Sequence, residues 1–307
     1  MHNGLLLLNK KSGFTSFDSL SLLKRLFSTG KIGHTGTLDK FASGLLLALV
    51  GRGVKLAPLF ANLNKEYYGT IYFGKETDTL DPEGTVIAEA PLPSKGEVET
   101  ALISFRGEIS QSPPAYSAIH IKGRRAHELV REGKQPEMKK RPVTVHNLQL
   151  VSWTPPTAVI QTQVSAGTYI RSLARDIALS AGSRAYLSAL ERTAVGAFRL
   201  ENATADAEID VNSLRPLDKK LFDDLGLPCF LLEKKVAEHF CNGGPLEKIL
   251  SDGEFCAPDS NTVFPAAEFS AAGVFKKGAE NELLGFLKCN KNEGNFPWVY
   301  GHVFSNN

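Results

Sequence analysis

What most constrains the fold is the order of strand and helix signals, which follows no repeating strand–helix period. Gly4 to Asn9 reads as a short buried strand, and Glu66 to Phe73 alternates Tyr67, Gly69, Ile71, Phe73 against Tyr68, Thr70, Tyr72, the period of a β-strand. Further strands are expected at Val143–Trp153 and Ala158–Ser165. Helical spacing puts Phe17, Leu20, Leu23, Leu26 and Phe27 on one side of a helix with Ser16 as N-cap. A capping box, Ser94 to Glu97, opens a second helix that Gly107 closes. A short basic helix is expected at Arg124–Glu132, and Ile170, Leu173, Ala174, Ile177 and Ala178 mark another helix ending near Gly182. Gly30–Gly44 is glycine-rich and reads as loop before the apolar Leu45–Val50, and Pro113-Pro114 forces another loop. Such an order argues α+β, not a doubly wound sheet.

At 307 residues, the chain exceeds what a single core usually serves, so a large domain and a small one are expected. Two features put the boundary near Pro228. Residues 1–228 hold 28 Lys+Arg against 23 Asp+Glu, whereas 229–307 hold 7 against 10. All four cysteines (Cys229, Cys241, Cys256, Cys289) lie beyond the boundary, with no CxxC pair, so a zinc ribbon is not expected and reduced thiols are. The basic excess sits in 121–141, where Lys122, Arg124, Arg125, Arg131, Lys134, Lys139, Lys140 and Arg141 face only Glu128, Glu132 and Glu137. Such a patch can bind a phosphate backbone although the whole chain is only +2; charge alone leaves a solvated surface as the plainer reading. No apolar run approaches the roughly 18 residues of a membrane span, and the opening residues lack the pattern of a signal peptide. A soluble, cytoplasmic protein is expected, with a monomer as the default and no obligate protein partner.

Three stretches carry chemistry. The loop Gly33-His34-Thr35-Gly36-Thr37-Leu38-Asp39-Lys40 has no GK[ST] and the wrong glycine spacing for a dinucleotide fingerprint. What remains is the carboxylate of Asp39 beside His34, on a loop whose glycines admit a bulky ligand; taken alone, such an Asp is more often a turn cap. Gly167-Thr168-Tyr169-Ile170-Arg171 places Tyr169 and Arg171 at a strand-to-helix junction. Arg171 would hold Asp39 ionised if it reached it; the alternative is a pair with Asp176. In Lys65-Glu66-Tyr67-Tyr68 only one tyrosine can face a given pocket.

These stretches resemble the TruB family, the bacterial tRNA pseudouridine-55 synthases. The family's G-H-T-G-x-L-D loop falls on Gly33–Asp39, its K-x-Y strand on Lys65–Tyr67 and its G-T-Y-I-R segment on Gly167–Arg171. Agreement extends to Leu5–Lys10 with Gly13, Thr77-Asp78-Thr79 with Asp81 and Gly84, Phe105-Arg106-Gly107, Pro113–Ala118 with Lys122-Gly123, and Leu190, Arg192 and Val195–Phe198. Lys40 and Lys11 stand where the family commonly has proline. The resemblance implies a pseudouridine synthase fold, a mixed and largely antiparallel sheet flanked by helices and loops, over 1–228. A basic RNA-gripping insertion is implied around 113–143, and a small, mainly β, PUA-like RNA-binding domain over 229–307.

It also implies tRNA, through its T-arm and T-loop, as partner, and no cofactor or metal, because exchanging a glycosidic C–N bond for C–C is an isomerisation. Asp39, Tyr67 and Arg171 are the implied catalytic residues. Lys10, His34, Tyr67, Tyr169 and Leu190 would bind the substrate, with His34 filling or supporting the space left by the extruded base. Lys122, Arg124, Arg125, Arg131, Lys139, Lys140 and Arg141 would hold the RNA backbone. A guide-RNA-dependent relative of the dyskerin type and an RNA-folding chaperone without turnover are the competing readings.

Overall fold

The computed structural model describes residues 2–117, 119–121, 123–134, 136–204, 208–258, 270–290 and 298–304. Its larger sheet takes strands from the whole first two thirds of the chain. These are β1 (Gly4–Lys10), β2 (Ile32–His34), β3 (Ser43–Val50), β4 (Lys65–Phe73), β7 (Gly107–Gln111), β10 (Arg141–Thr154), β11 (Thr157–Val164), β12 (Ala185–Val195) and β13 (Phe198–Arg199). They run in the order β1-β3-β12-β4-β11-β10-β7, with β2 beside β3 and β13 beside β12. Every pairing is antiparallel except β3 with β12, which meet in parallel only at Ser43–Glu191 and Gly44–Arg192.

Two hairpins, β5 (Lys75–Thr77) with β6 (Val86–Glu89) and β8 (His120–Ile121) with β9 (Arg124–Arg125), and the short helix α3 (Ala126–Arg131) lie outside the larger sheet. The helices α1 (Ser16–Leu26), α2 (Lys95–Ser104) and α4 (Ile170–Ser180) cover this sheet. Leu173, Ala174, Ile177 and Ala178 of α4 and Val98 and Leu102 of α2 pack on Ile71, Ile160 and Leu187. The Leu5–Leu8 run has no polar face because both faces of β1 are covered. Leu6 with Ala48 and Val50 meets Leu20, Leu23 and Phe27 of the α1 region, whereas Leu5, Leu7, Leu45, Leu47 and Leu49 join a different cluster.

That second cluster reaches the C-terminal part of the chain. A second sheet is built from β14 (Cys229–Leu232), β15 (Glu254–Cys256), β16 (Ala271–Lys276), β17 (Ala279–Cys289) and β18 (Trp298–Val303), in the order β15-β14-β16-β17-β18. Leu231, Phe275, Phe286 and Phe304 from this C-terminal β-sheet domain, with Phe222 of α5 (Lys219–Asp224), lie in one buried cluster with Leu5, Leu45, Phe60 and Phe198. Phe222 and Phe275 meet edge-on at 5.4 Å. The two sheets therefore share a core. The four cysteines are free thiols.

Three expectations need correction. The cap of α1 is Thr15, which forms a reciprocal capping box with Asp18; Ser16 is the first helical residue, and its hydroxyl bonds the backbone of Leu38 instead. The Gly30–Gly44 loop contains a short strand, β2. The long strand β12, at the heart of the sheet, was not expected. Register shifts at Leu187/Ala189 and Arg192/Ala194 break its alternation, and bulges of this kind erase the period-2 signal by which a strand is read.

Gly44 is where β3 turns in beside β12, with φ +101; a Cβ there would lie 2.4 Å from the carbonyl oxygen of Arg192 and 2.8 Å from its nitrogen. Only glycine fits both the backbone angle and the space. Gly44→Ala is expected to lower the free energy of unfolding by about 2–4 kcal/mol, read as a fall in the urea midpoint at unchanged slope.

Candidate active site

Strand β3 has β1 along one edge. Along the other, β12 reaches only Ser43 and Gly44, and β2 only Ala48 to Val50. In the gap between them lies the segment Thr35–Ala42, which carries Asp39. Where this half-buried loop turns its backbone polar groups away from water, they need partners in the protein. Thr35 N–H donates to the Leu47 carbonyl at 3.1 Å. The buried Arg192 donates from Nε to Leu45 O at 2.7 Å, from Nη1 to Thr37 O at 3.4 Å and from Nη2 to Gly36 O at 3.3 Å. Ser16 Oγ both accepts from Leu38 N at 2.9 Å and donates to Leu38 O at 3.0 Å.

The far side of the loop rests on the β1–α1 turn. Lys10 is fully buried, and its Nζ donates to Phe14 O at 2.6 Å, Ala42 O at 2.7 Å, Lys11 O at 3.0 Å and Lys40 O at 3.5 Å. Burial pulls the Lys10 amine down to about 8, against the opposing field of Asp39. Gly13 N–H donates to Lys40 O at 2.8 Å and Ser12 Oγ to Phe41 O at 2.6 Å. Lys10, expected as a substrate ligand, thus has its amine against two carbonyls of the loop, Lys40 and Ala42, and two of the β1–α1 turn, Lys11 and Phe14. Lys40 extends outward and pairs with Glu83 at 3.0 Å.

Asp39 and Arg171 do meet. Arg171 Nε lies 3.0 Å from Asp39 Oδ2, and Nη2 donates to Oδ1 at 3.3 Å. The guanidinium is only 6% exposed, whereas the Asp39 side chain is 35% exposed, so the carboxylate presents itself to solvent from a buried cation. Arg171 Nη1 contacts a second carboxylate, Asp81, at 3.2 Å, and donates to Thr79 O at 2.8 Å; Nη2 also reaches Tyr116 O at 3.1 Å. Asp81 lies in the Thr77–Gly84 stretch that agrees with the family. Burial raises its pKa, opposed by the Thr79 hydroxyl at 2.5 Å and by Arg171. Leu80, before it, has φ +61, an unusual angle for a branched residue that aims the turn inward. The alternative partner of Arg171, Asp176, pairs with Arg175 at 2.8 Å.

The other candidate residues lie on β2, β4, β12 and at the start of α4. Tyr67 on β4 is buried and stands opposite Arg192 on β12 and Thr162 on β11, whereas Tyr68 is 38% exposed on the other face. Tyr67, Leu190, the loop's Leu38 and Ala42, and Ile170 beside Arg171 form one cluster. Tyr169 caps α4 and is clamped by the buried Gln111, which accepts from its N–H at 2.8 Å and donates to its carbonyl at 3.1 Å. Gln111 carries no motif and could not have been picked from sequence. Arg141 donates to Gly167 O and lies over the Tyr169 ring at 5.0 Å. His34 Nδ1 is buried with no hydrogen-bond partner among the described residues, and burial together with Arg192 lowers its pKa. The imidazole is thus neutral at pH 7.

Of the basic stretch, Arg124 pairs with Glu132, which Lys134 also contacts at 2.8 Å. Arg125, Arg131, Lys139 and Lys140 are exposed. Lys122 lies outside the described residues.

Residues 24–170 match the model of the TruB family pseudouridylate synthase N-terminal domain. A tRNA pseudouridine synthase B of Borreliella burgdorferi is 46% identical over 232 residues, covering 73% of this chain and 82% of that protein. The chain belongs to the TruB family. A second relative, the tRNA pseudouridine synthase B of Treponema denticola, is 38% identical over 74% of this chain and 71% of its own. Among solved structures, the chain titled crystal structure of a Cbf5-Nop10-Gar1 complex superposes with a TM-score of 0.70 at 19% identity, over 98% of this chain and 85% of that one. The archaeal box H/ACA sRNP Nop10-Cbf5 complex gives 0.68 at 18% identity, covering 98% and 86%. At such identity the likeness is one of fold, and it takes in both sheets. Of this TruB-family chain, no helix among the described residues is long and apolar enough to cross a membrane.

Lys10→Met keeps the length but takes the ammonium from the carbonyls of Phe14, Ala42 and Lys11, whereas Lys40 O keeps the Gly13 N–H. The expected result is a loss of about 2–4 kcal/mol in unfolding free energy and a fall in kcat with the KM for RNA little changed. A raised KM at unchanged kcat would instead make Lys10 a substrate ligand.

Proposed function

We propose that this chain isomerises uridine 55 in the T-loop of tRNA to pseudouridine, with Asp39 as the reacting carboxylate. It is a tRNA pseudouridine synthase of the TruB family, and the observation that supports the residue assignment is the contact of Asp39 with the buried Arg171. Two guanidinium nitrogens at 3.0 and 3.3 Å fix the orientation of the carboxylate, and a carboxylate so held is what attack at C1′ or removal of a ribose proton requires. Either route ends with N1–C1′ broken, the uracil turned and C5–C1′ formed, with the C5 proton lost.

A base stacked in the T-loop must first leave its stack, at a cost of a few kcal/mol. Tyr67 would stack on the extruded uracil, and its phenol would help remove the C5 proton. Leu190 and Tyr169 would line the same pocket. His34, neutral and with an Nδ1 that has no partner among the described residues, would take the space the base leaves. The exposed Arg125, Arg131, Lys139 and Lys140, with Arg141 held against Tyr169, would grip T-arm phosphates, so binding would weaken as salt is added. Residues 229–307 would be a PUA-like RNA-binding domain fixed to the catalytic sheet through their shared core. A guide-RNA-dependent mode has only the fold likeness to support it, whereas the relatives of high sequence identity are named as tRNA enzymes.

Tritium release from uracil C5 on an unmodified tRNA transcript, with no second RNA added, tests the assignment. Wild-type protein should release label and Asp39→Asn none above background; activity that requires a guide RNA would overturn the stand-alone reading. Tyr67→Phe is expected to keep tRNA affinity within about twofold and lose 10²-fold or more in turnover. An unchanged rate would remove the phenol from the chemistry.

A further inference from the structure

A cleft of about 930 Å³ opens where Phe304 and the last strand of the C-terminal sheet meet the end of β3 and the start of β2. Its polar side chains are Asn3, Lys31, Arg52, Lys55 and His302, and among the described residues no carboxylate lines it. Lys31 and Lys55 are exposed. The floor is closely built. Gly51 has φ +62, and a Cβ there would lie 2.3 Å from both His2 O and Asn3 Oδ1. Its N–H donates to Lys31 O at 2.7 Å, and Arg52 N–H to Asn3 Oδ1 at 2.8 Å. These bonds fix the backbone from which Lys31 and Arg52 project. Burial and the charge of Lys55 lower the pKa of His302, leaving a neutral ring that can donate or accept a hydrogen bond.

The exposed amines of Lys31 and Lys55, with no carboxylate among the described residues that line the cleft, suit phosphate groups. The cleft lies at the Val50 end of β3 and Asp39 at the Gly44 end, six residues or roughly 20 Å apart. A ligand engaging both must extend well beyond the reacting nucleotide. We propose that this cleft binds the sugar–phosphate backbone of the tRNA substrate outside its T-arm, as a second RNA contact shared by the two sheets. The proposal rests on tRNA being the substrate, as argued above.

The test compares full-length unmodified tRNA with an isolated T-arm stem–loop, using wild-type protein and the double variant Lys31→Gln/Lys55→Gln. For full-length tRNA the variant should bind about tenfold more weakly, with the salt slope smaller by about 2; for the stem–loop its affinity should match wild type. An equal loss on both RNAs, or on neither, would overturn the proposal. So would inorganic pyrophosphate that binds wild-type protein in a Lys31- and Lys55-dependent way but is not displaced by tRNA, which would make the cleft a small-anion site. An unchanged urea midpoint establishes that the variant is folded. If wild-type protein bound tRNA but released no label from C5, the proposed function would fail while the binding comparison still reported on the cleft.

Discussion

A loop that enters a sheet half-buries its backbone carbonyls, and the rest of this site depends on how they are partnered. Here two long cations, Lys10 and Arg192, are buried for the purpose, and Ser16 serves both backbone groups of Leu38. Burying an ammonium or a guanidinium is costly unless its protons are used, and these are shared between carbonyls of the segment that carries Asp39 and those of Lys11, Phe14 and Leu45 beside it. The loop is therefore anchored at successive residues from Gly36 to Ala42, and its carboxylate starts from a rigid frame.

On that frame sits a charged group that also needs partners. Arg171 gathers Asp39, Asp81 and the carbonyls of Thr79 and Tyr116, so segments far apart in sequence converge on one guanidinium. Removing either carboxylate would leave a buried cation less compensated, a change commonly costing several kcal/mol. The arrangement also separates roles. Asp81 is as buried as the arginine, whereas Asp39 remains partly exposed and is the carboxylate a bound nucleotide can meet.

Much of this was legible before folding. Asp39, Tyr67 and Arg171 stand in motifs, and the Glu66–Phe73 alternation placed Tyr67 and Tyr68 on opposite faces, as the structure has them. What escaped did so for identifiable reasons. Strand β12 is interrupted by two register shifts. Ser16 looked like a cap because a serine before a helix usually is one, but Thr15 does that work and frees Ser16 for Leu38. Gln111 holds Tyr169 across 58 residues of sequence, and no local pattern records such a partnership.

By itself the sequence determined the mixed strand and helix order, the change of character near Pro228 and the reactive residue types, since periodicity, composition and motifs are local properties. Tertiary structure decided which of those residues face one another. It showed that Arg171 reaches Asp39 and not Asp176, that Lys10 and Arg192 grip a loop, and that Lys31, Arg52, Lys55 and His302 line one cleft. Burial and charge pairing depend on distances in space, and a chain folded through a sheet of this connectivity brings together residues whose separation in sequence hides the contact.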